Sequence, residues 1–139
     1  MELLRTPDDA FDRLDGFEYE PRWLELDGGI RVHAVDEGPA DAPAVLLLHG
    51  EPSWSYLYRS LIPVLVSAGM RAVTVDLVGF GRSDKPADVA DHSYARQVAW
   101  TAEAVLDRLA LDDITLVCQD WGGLIGLRVL ANFATWDGA

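Results

Sequence analysis

Residues 114–131 constrain this chain more than any other stretch. Ile114–Val117 is a short apolar run of strand character, and Leu124–Ala131 is a helical run. Between them, Cys118-Gln119-Asp120-Trp121-Gly122-Gly123 holds an acidic residue among small ones. That order describes a sharp strand-to-helix turn with an aspartate at its tip. A strand that feeds directly into a helix belongs to a layered α/β architecture.

The remaining pattern agrees. Trp23–Asp27 and Ile30–Val35 alternate apolar and polar residues around Gly28-Gly29, the signature of an antiparallel hairpin. After a proline-marked loop over residues 39–43, Ala44–Leu48 is wholly apolar, as strands buried on both faces are. A loop, His49-Gly50-Glu51-Pro52-Ser53, leads into a helical stretch over Trp54–Ala68, with a kink expected at Pro63 and an end at Gly69. Arg71–Val75 reads as the next strand, Gly79-Phe80-Gly81 as a turn, and Ser93–Leu109 as a helix capped by Ser93. Two antiparallel strands followed by a βαβαβα succession give a mostly parallel sheet. In such sheets the chemistry gathers at the C-terminal ends of the central strands, where His49–Pro52 and Gln119–Trp121 both fall.

Composition removes several function classes. The chain has 139 residues, half of them apolar, enough for one ordinary domain. Its 23 acidic and 11 basic side chains leave a net charge of −12, which repels phosphate backbones and anionic membrane surfaces. Nucleic-acid and membrane binding are therefore not expected. Cys118 is the only cysteine, so neither an internal disulfide nor a cysteine-rich zinc site can form, which fits a reducing cytoplasm. The N-terminus carries acids and Pro7 where an export signal needs a basic start. The longest apolar runs, Ala44–Leu48 and Leu61–Ala68, fall short of the ~20 residues that span a bilayer.

The aspartate at the tip narrows the chemistry. A serine attacking saturated carbon makes an ether that water does not readily cleave, whereas a carboxylate makes a hydrolysable ester. Asp120 is ionised at neutral pH, and the helix that starts after it favours the anion further. The backbone amides of Trp121 and Glu51 are placed to hold an oxyanion, and the Trp121 indole N–H suits a departing halide. Neither metal nor cofactor is called for.

Three motifs now stand in order: His49 through Arg59, which opens His49-Gly50-Glu51-Pro52-Ser53-Trp54, Asp76 through Pro86 with Gly79-Phe80-Gly81 inside it, and Gln119-Asp120-Trp121-Gly122-Gly123. With the strands between them, over residues 20–131, the chain resembles the N-terminal part of a haloalkane dehalogenase, a member of the α/β-hydrolase superfamily. The resemblance implies an α/β-hydrolase fold whose strand-to-helix turn is the nucleophile elbow. It makes Asp120 the catalytic nucleophile, Glu51 and Trp121 the oxyanion-hole donors and Trp121 a halide-binding residue, and it implies a cis bond at Glu51-Pro52. The substrates are then a small haloalkane and water, and the products an alcohol and a halide. Epoxide hydrolases share the loop and the aspartate but usually carry histidine where this chain has Gln119.

The same family places a helical cap, a second halide-binding residue, an acid and a histidine base downstream of the elbow helix. His33, His49 and His92 occupy none of those places, so none is expected to serve as base. Residues 1–139 thus read as the first part of the core domain, strands one to five and the elbow helix, with residues 132–139 as a divergent tail. On that reading the fifth strand is an edge, and poor stability or self-association follows. A non-catalytic fragment is the alternative function. Blander assignments are Trp54, Tyr56 and Tyr58 as packing residues, Cys118 as a small buried filler, and the acidic stretch Asp8–Glu20 as a solvated face.

Overall fold

The computed structural model describes residues 1–133. The divergent tail expected at 132–139 therefore lies, beyond Phe133, outside the described residues. In chain order the strands are β1 (Leu3–Leu4), β2 (Arg22–Glu25), β3 (Arg31–Glu37), β4 (Ala44–Leu48), β5 (Arg71–Val75), β6 (Lys85–Pro86) and β7 (Ile114–Cys118). The α-helices are α1 (Ile62–Ser67), α2 (Tyr94–Ala102) and α3 (Trp121–Phe133). Five strands form one sheet in the order β2-β3-β5-β4-β7. The hairpin and its join to β5 are antiparallel, while β4 runs parallel to both β5 and β7.

Strand β4 is buried along its whole length, as its unbroken apolar run requires. Its side chains alternate between two cores. Ala44, Leu46 and Leu48 pack with Leu24, Val32, Val73 and Val105, whereas Val45 and Leu47 pack with Phe17, Val35, Tyr58 and Ile62. Only a strand between two layers can serve both. At one margin of the sheet, β7 is different: Ile114 and Leu116 are partly covered, while Thr115, Val117 and Cys118 are exposed. The expected buried role for Cys118 is thereby corrected, because its strand has no described neighbour on the side away from β4.

Helical boundaries differ from expectation for identifiable reasons. The stretch 54–68 is a 3₁₀ turn, Ser55–Tyr58, followed by α1, and Pro63 sits in the first turn of α1. Proline there starts a helix instead of kinking one, since its missing N–H falls on a position with no intrahelical acceptor. Gly69, at φ +79°, follows the end of α1 as expected. The stretch 93–109 begins with Ser93, whose Oγ accepts from the Arg96 amide at 3.2 Å, and continues past α2 as a π-helical turn over Glu103–Arg108.

The N-terminal segment is more than a solvated face. Strand β1 pairs with β6, Arg5 donates to the buried Asp84 at 2.9 Å, and Phe17 is buried against Trp54, Tyr56 and Tyr19. No described helix is long and apolar enough to cross a membrane.

Candidate active site

Parallel pairing sets up the site. Leu48 of β4 lies opposite Cys118 of β7, so the loops that follow both strands leave the sheet side by side. The chain after β7 turns into α3 through Asp120, which adopts φ +54°, a left-handed conformation uncommon for a residue with a Cβ. Two glycines make the close approach possible. A Cβ on Gly122 would lie 2.2 Å from the Leu48 carbonyl oxygen, and one on Gly50 would lie 2.4 Å from the Asp120 Cβ. Neither neighbour can yield, because one is backbone and the other is the aspartate itself.

At this junction the Glu51 amide donates to Asp120 Oδ2 at 3.0 Å, and the Glu51-Pro52 bond is cis. The Trp121 amide first, and the Glu51 amide second, hold the Asp120 carboxyl below the usual carboxylate range. Asp120 is exposed, so the arrangement yields a solvent-accessible, fully ionised carboxylate at neutral pH.

His49 fixes the Glu51 amide, a connection the sequence did not disclose. Its Nε2 accepts from the Leu77 amide at 2.9 Å, which places the ring proton on Nδ1, and Nδ1 donates to the Gly50 carbonyl at 3.0 Å. The Ser53 amide donates to the same oxygen at 2.9 Å. In a trans peptide the C=O and N–H point in opposite directions. Anchoring the Gly50 oxygen on one side therefore aims the Glu51 N–H at Asp120 on the other. Burial pushes the His49 imidazole below its ordinary value despite the Gly50 bond, so it stays neutral.

A second buried group ties the loop after β4 to the loop after β5. Asp76 Oδ1 accepts from the Ser55 amide at 2.8 Å, and Oδ2 accepts from the Arg82 amide and from His33 Nδ1, each at 2.9 Å. Burial alone would raise its pKa, but these donors outweigh it and hold the carboxyl below the ordinary value. His92 donates from Nε2 to the Pro86 carbonyl at 2.9 Å. All three histidines are thus engaged elsewhere, and among the described residues none bonds to Asp120.

Beside the elbow lies a mainly apolar cavity of about 280 Å³, lined by Glu51, Leu77, Phe80, Tyr94, Trp121 and Ile125 among others. Trp54 is not in its wall, because it packs against Phe11, Phe17 and Tyr56. The described residues contain no cluster of His, Cys, Asp or Glu able to hold a metal ion.

A mixed sheet whose parallel strands β4 and β7 carry this facing loop and this elbow defines a class, and the α/β-hydrolase fold family model matches residues 43–135. The chain belongs to that family. Within it, the similarity is to haloalkane dehalogenases. The enzyme so named in Psychrobacter cryohalolentis is 56% identical over 136 residues, covering 95% of this chain and 45% of that protein. The one from Mycobacterium marinum is 48% identical, covering 95% of this chain and 46% of that protein. Among solved structures, the tetrameric haloalkane dehalogenase DpaA from Paraglaciecola agarilytica superposes with a TM-score of 0.89 at 42% identity, over 95% of this chain and 45% of that one. An epoxide hydrolase from Vigna radiata superposes with a TM-score of 0.74 at 34% identity, over 84% and 36%. The chain spans less than half the length of the curated relatives it matches.

Proposed function

We propose that this chain carries the nucleophile and the charge-stabilising donors of a hydrolase that cleaves carbon–halogen bonds in alkyl halides. The observation that supports this most directly is Asp120 at a positive φ with the Glu51 amide 3.0 Å from Oδ2. With Oδ2 so held, Oδ1 is the oxygen available for attack. It displaces halide at a saturated carbon: a C–O bond forms, the C–halogen bond breaks, and the halide leaves with the bonding pair. The leaving group is weakly basic and takes no proton, so an N–H donor such as the Trp121 indole suits it. The product of this step is an aspartyl-alkyl ester.

Hydrolysis of the ester by water at the Asp120 carbonyl carbon puts negative charge on Oδ2. That oxygen already faces the Glu51 amide, and the Trp121 amide is the second donor. This step needs a base, and His33, His49 and His92 are each committed to other partners. With residues 1–139 taken alone, the ester is therefore expected to accumulate. Intact mass after exposure to a dibromoalkane tests the reading: an alkyl adduct mapped to Asp120, absent in Asp120→Asn, is the expected result. No adduct would overturn the nucleophile assignment, and sustained bromide release would overturn the trapped ester.

A related reading is epoxide opening, which the similarity to epoxide hydrolases brings in. Gln119 before the nucleophile speaks against it, and an epoxide in place of the dibromoalkane separates the two. The partners on the main reading are a small haloalkane and water, without a cofactor. The lone Cys118 and the charge of −12 support a cytoplasmic setting and argue against nucleic acid or an anionic membrane as partner. With residues 1–139 taken alone, β7 is an exposed edge among the described residues and a surface for self-association.

A further inference from the structure

We infer that Tyr94 is a positioning residue that holds the Trp121 indole in place, an inference that rests on reading Trp121 as the halide donor. Trp121 opens α3 with 42% of its surface exposed, and an exposed side chain at a helix start exchanges among rotamers. A single N–H donor is effective only in the rotamer that points at the anion. Tyr94 supplies the restraint from a different helix. Its ring lies 6.3 Å from the indole, centroid to centroid, with the planes inclined at 46°, within the range where aromatic pairs attract.

Tyr94 is itself fixed at both ends. Its backbone is the first residue of α2, directly after the Ser93 cap. Its hydroxyl donates to the Leu124 carbonyl at 2.8 Å, and Leu124 lies three residues after Trp121 on α3. Residues three apart share one face of a helix, so the tether and the indole lie on the same side of α3. The tyrosine ring thus spans from α2 to α3 beside the indole, and both aromatic residues line the cavity next to Asp120. Tyr94 belongs neither to the elbow nor to the loop bearing Glu51, and it needs no contact with the substrate to act.

The full chain labelled with fluorotryptophan tests this by fluorine NMR, with Trp121→Phe assigning the Trp121 signal. In the unaltered chain one narrow Trp121 resonance should shift as bromide is added. In Tyr94→Ala that resonance should broaden or move, and bromide binding should weaken roughly fivefold, the scale of an aromatic pair. Tyr94→Phe keeps the ring and loses only the tether, so it should fall between the two. Unchanged resonances for the other tryptophans show that the variants retain the fold, a readout that general destabilisation would disturb. A Trp121 signal and bromide affinity unaffected by Tyr94→Ala would overturn the inference. A Trp121 signal that responds to Tyr94→Ala but never to bromide would uphold the restraint on the indole and overturn the halide reading alone.

Discussion

The loop after β4 and the turn after β7 meet at one carboxylate, yet they are held by opposite means. The β4 side is enclosed: the strand is fully buried, and His49 and Asp76 bind the following loop through backbone groups that lie out of solvent. The β7 side is open, with Val117, Trp121, Leu124 and Leu127 exposed and one face of the strand edge without a described neighbour. The difference teaches where precision is stored in this site. The Glu51 amide is aimed by a buried network within the described residues, whereas the strand that leads to Asp120 draws support from β4 on one side only.

Breaking the enclosed side should cost most. Asp76→Ala leaves the Ser55 and Arg82 amides and His33 without their acceptor in a site closed to water. Loss of one partner in such a buried set costs about 3–5 kcal/mol, so urea unfolding should show a fall of that order. Leu47→Ala, in the middle of β4 and fully buried, should cost about 2–5 kcal/mol through the cavity it leaves. Val117→Ala on β7 removes a side chain already 37% exposed and should cost less than about 1 kcal/mol. Equal losses at Leu47 and Val117 in the same assay would break the contrast between the two sides.

The titration of His49 sharpens the contrast. Its folded pKa lies below the ordinary imidazole value of 6.5, because burial disfavours the charged ring. The unfolded chain therefore binds more protons than the folded one between those two values. The stability that neutral His49 contributes is complete above about pH 6.5 and is lost as pH falls through that value towards the folded pKa. Asp76, whose folded value is also lowered, acts further into acid, below its ordinary value of 3.8. Denaturation midpoints should thus decline in two stages on acidification. His49→Gln should remove the first stage and leave the second, and an unchanged profile in that variant would show that His49 does not titrate with unfolding.

Much of this contrast was legible in the sequence, and the missing parts share a cause. Ala44–Leu48 announced its burial because an unbroken apolar run has no solvent face to offer. The elbow was legible because Gly122 and Asp120 serve one local turn. Phe17 was hidden inside an acidic stretch, since its partners Trp54 and Tyr56 come from a distant loop. The pairing of β1 with β6 joins residues some eighty positions apart over two rungs, too short for any alternation to register. Asp76 and His49 looked like loop residues because their partners are mostly backbone amides, which carry no residue type. The exposure of Cys118 is not legible, because the size of a side chain says nothing about whether its strand is an edge.

The smallest expected effect on stability comes from the open side, and there the informative quantity is association. Leu127 is 63% exposed on α3, so Leu127→Lys removes little buried contact and should change unfolding by no more than about 0.5 kcal/mol. Its apolar surface lies on the same exposed side as Leu124, and an exposed strand edge beside apolar side chains invites pairing with a second copy. Lysine there places a charge that a self-complementary contact would bring against its own symmetry mate or bury unpaired. Sedimentation velocity should therefore show a concentration-dependent rise in mass for the unaltered chain that is reduced in Leu127→Lys. If both species sediment as monomers at all concentrations, the open side is tolerated by the isolated chain, and exposure at β7 and α3 carries no tendency to associate. If both associate equally, the contact lies elsewhere, and the enclosed side would have to be searched for it.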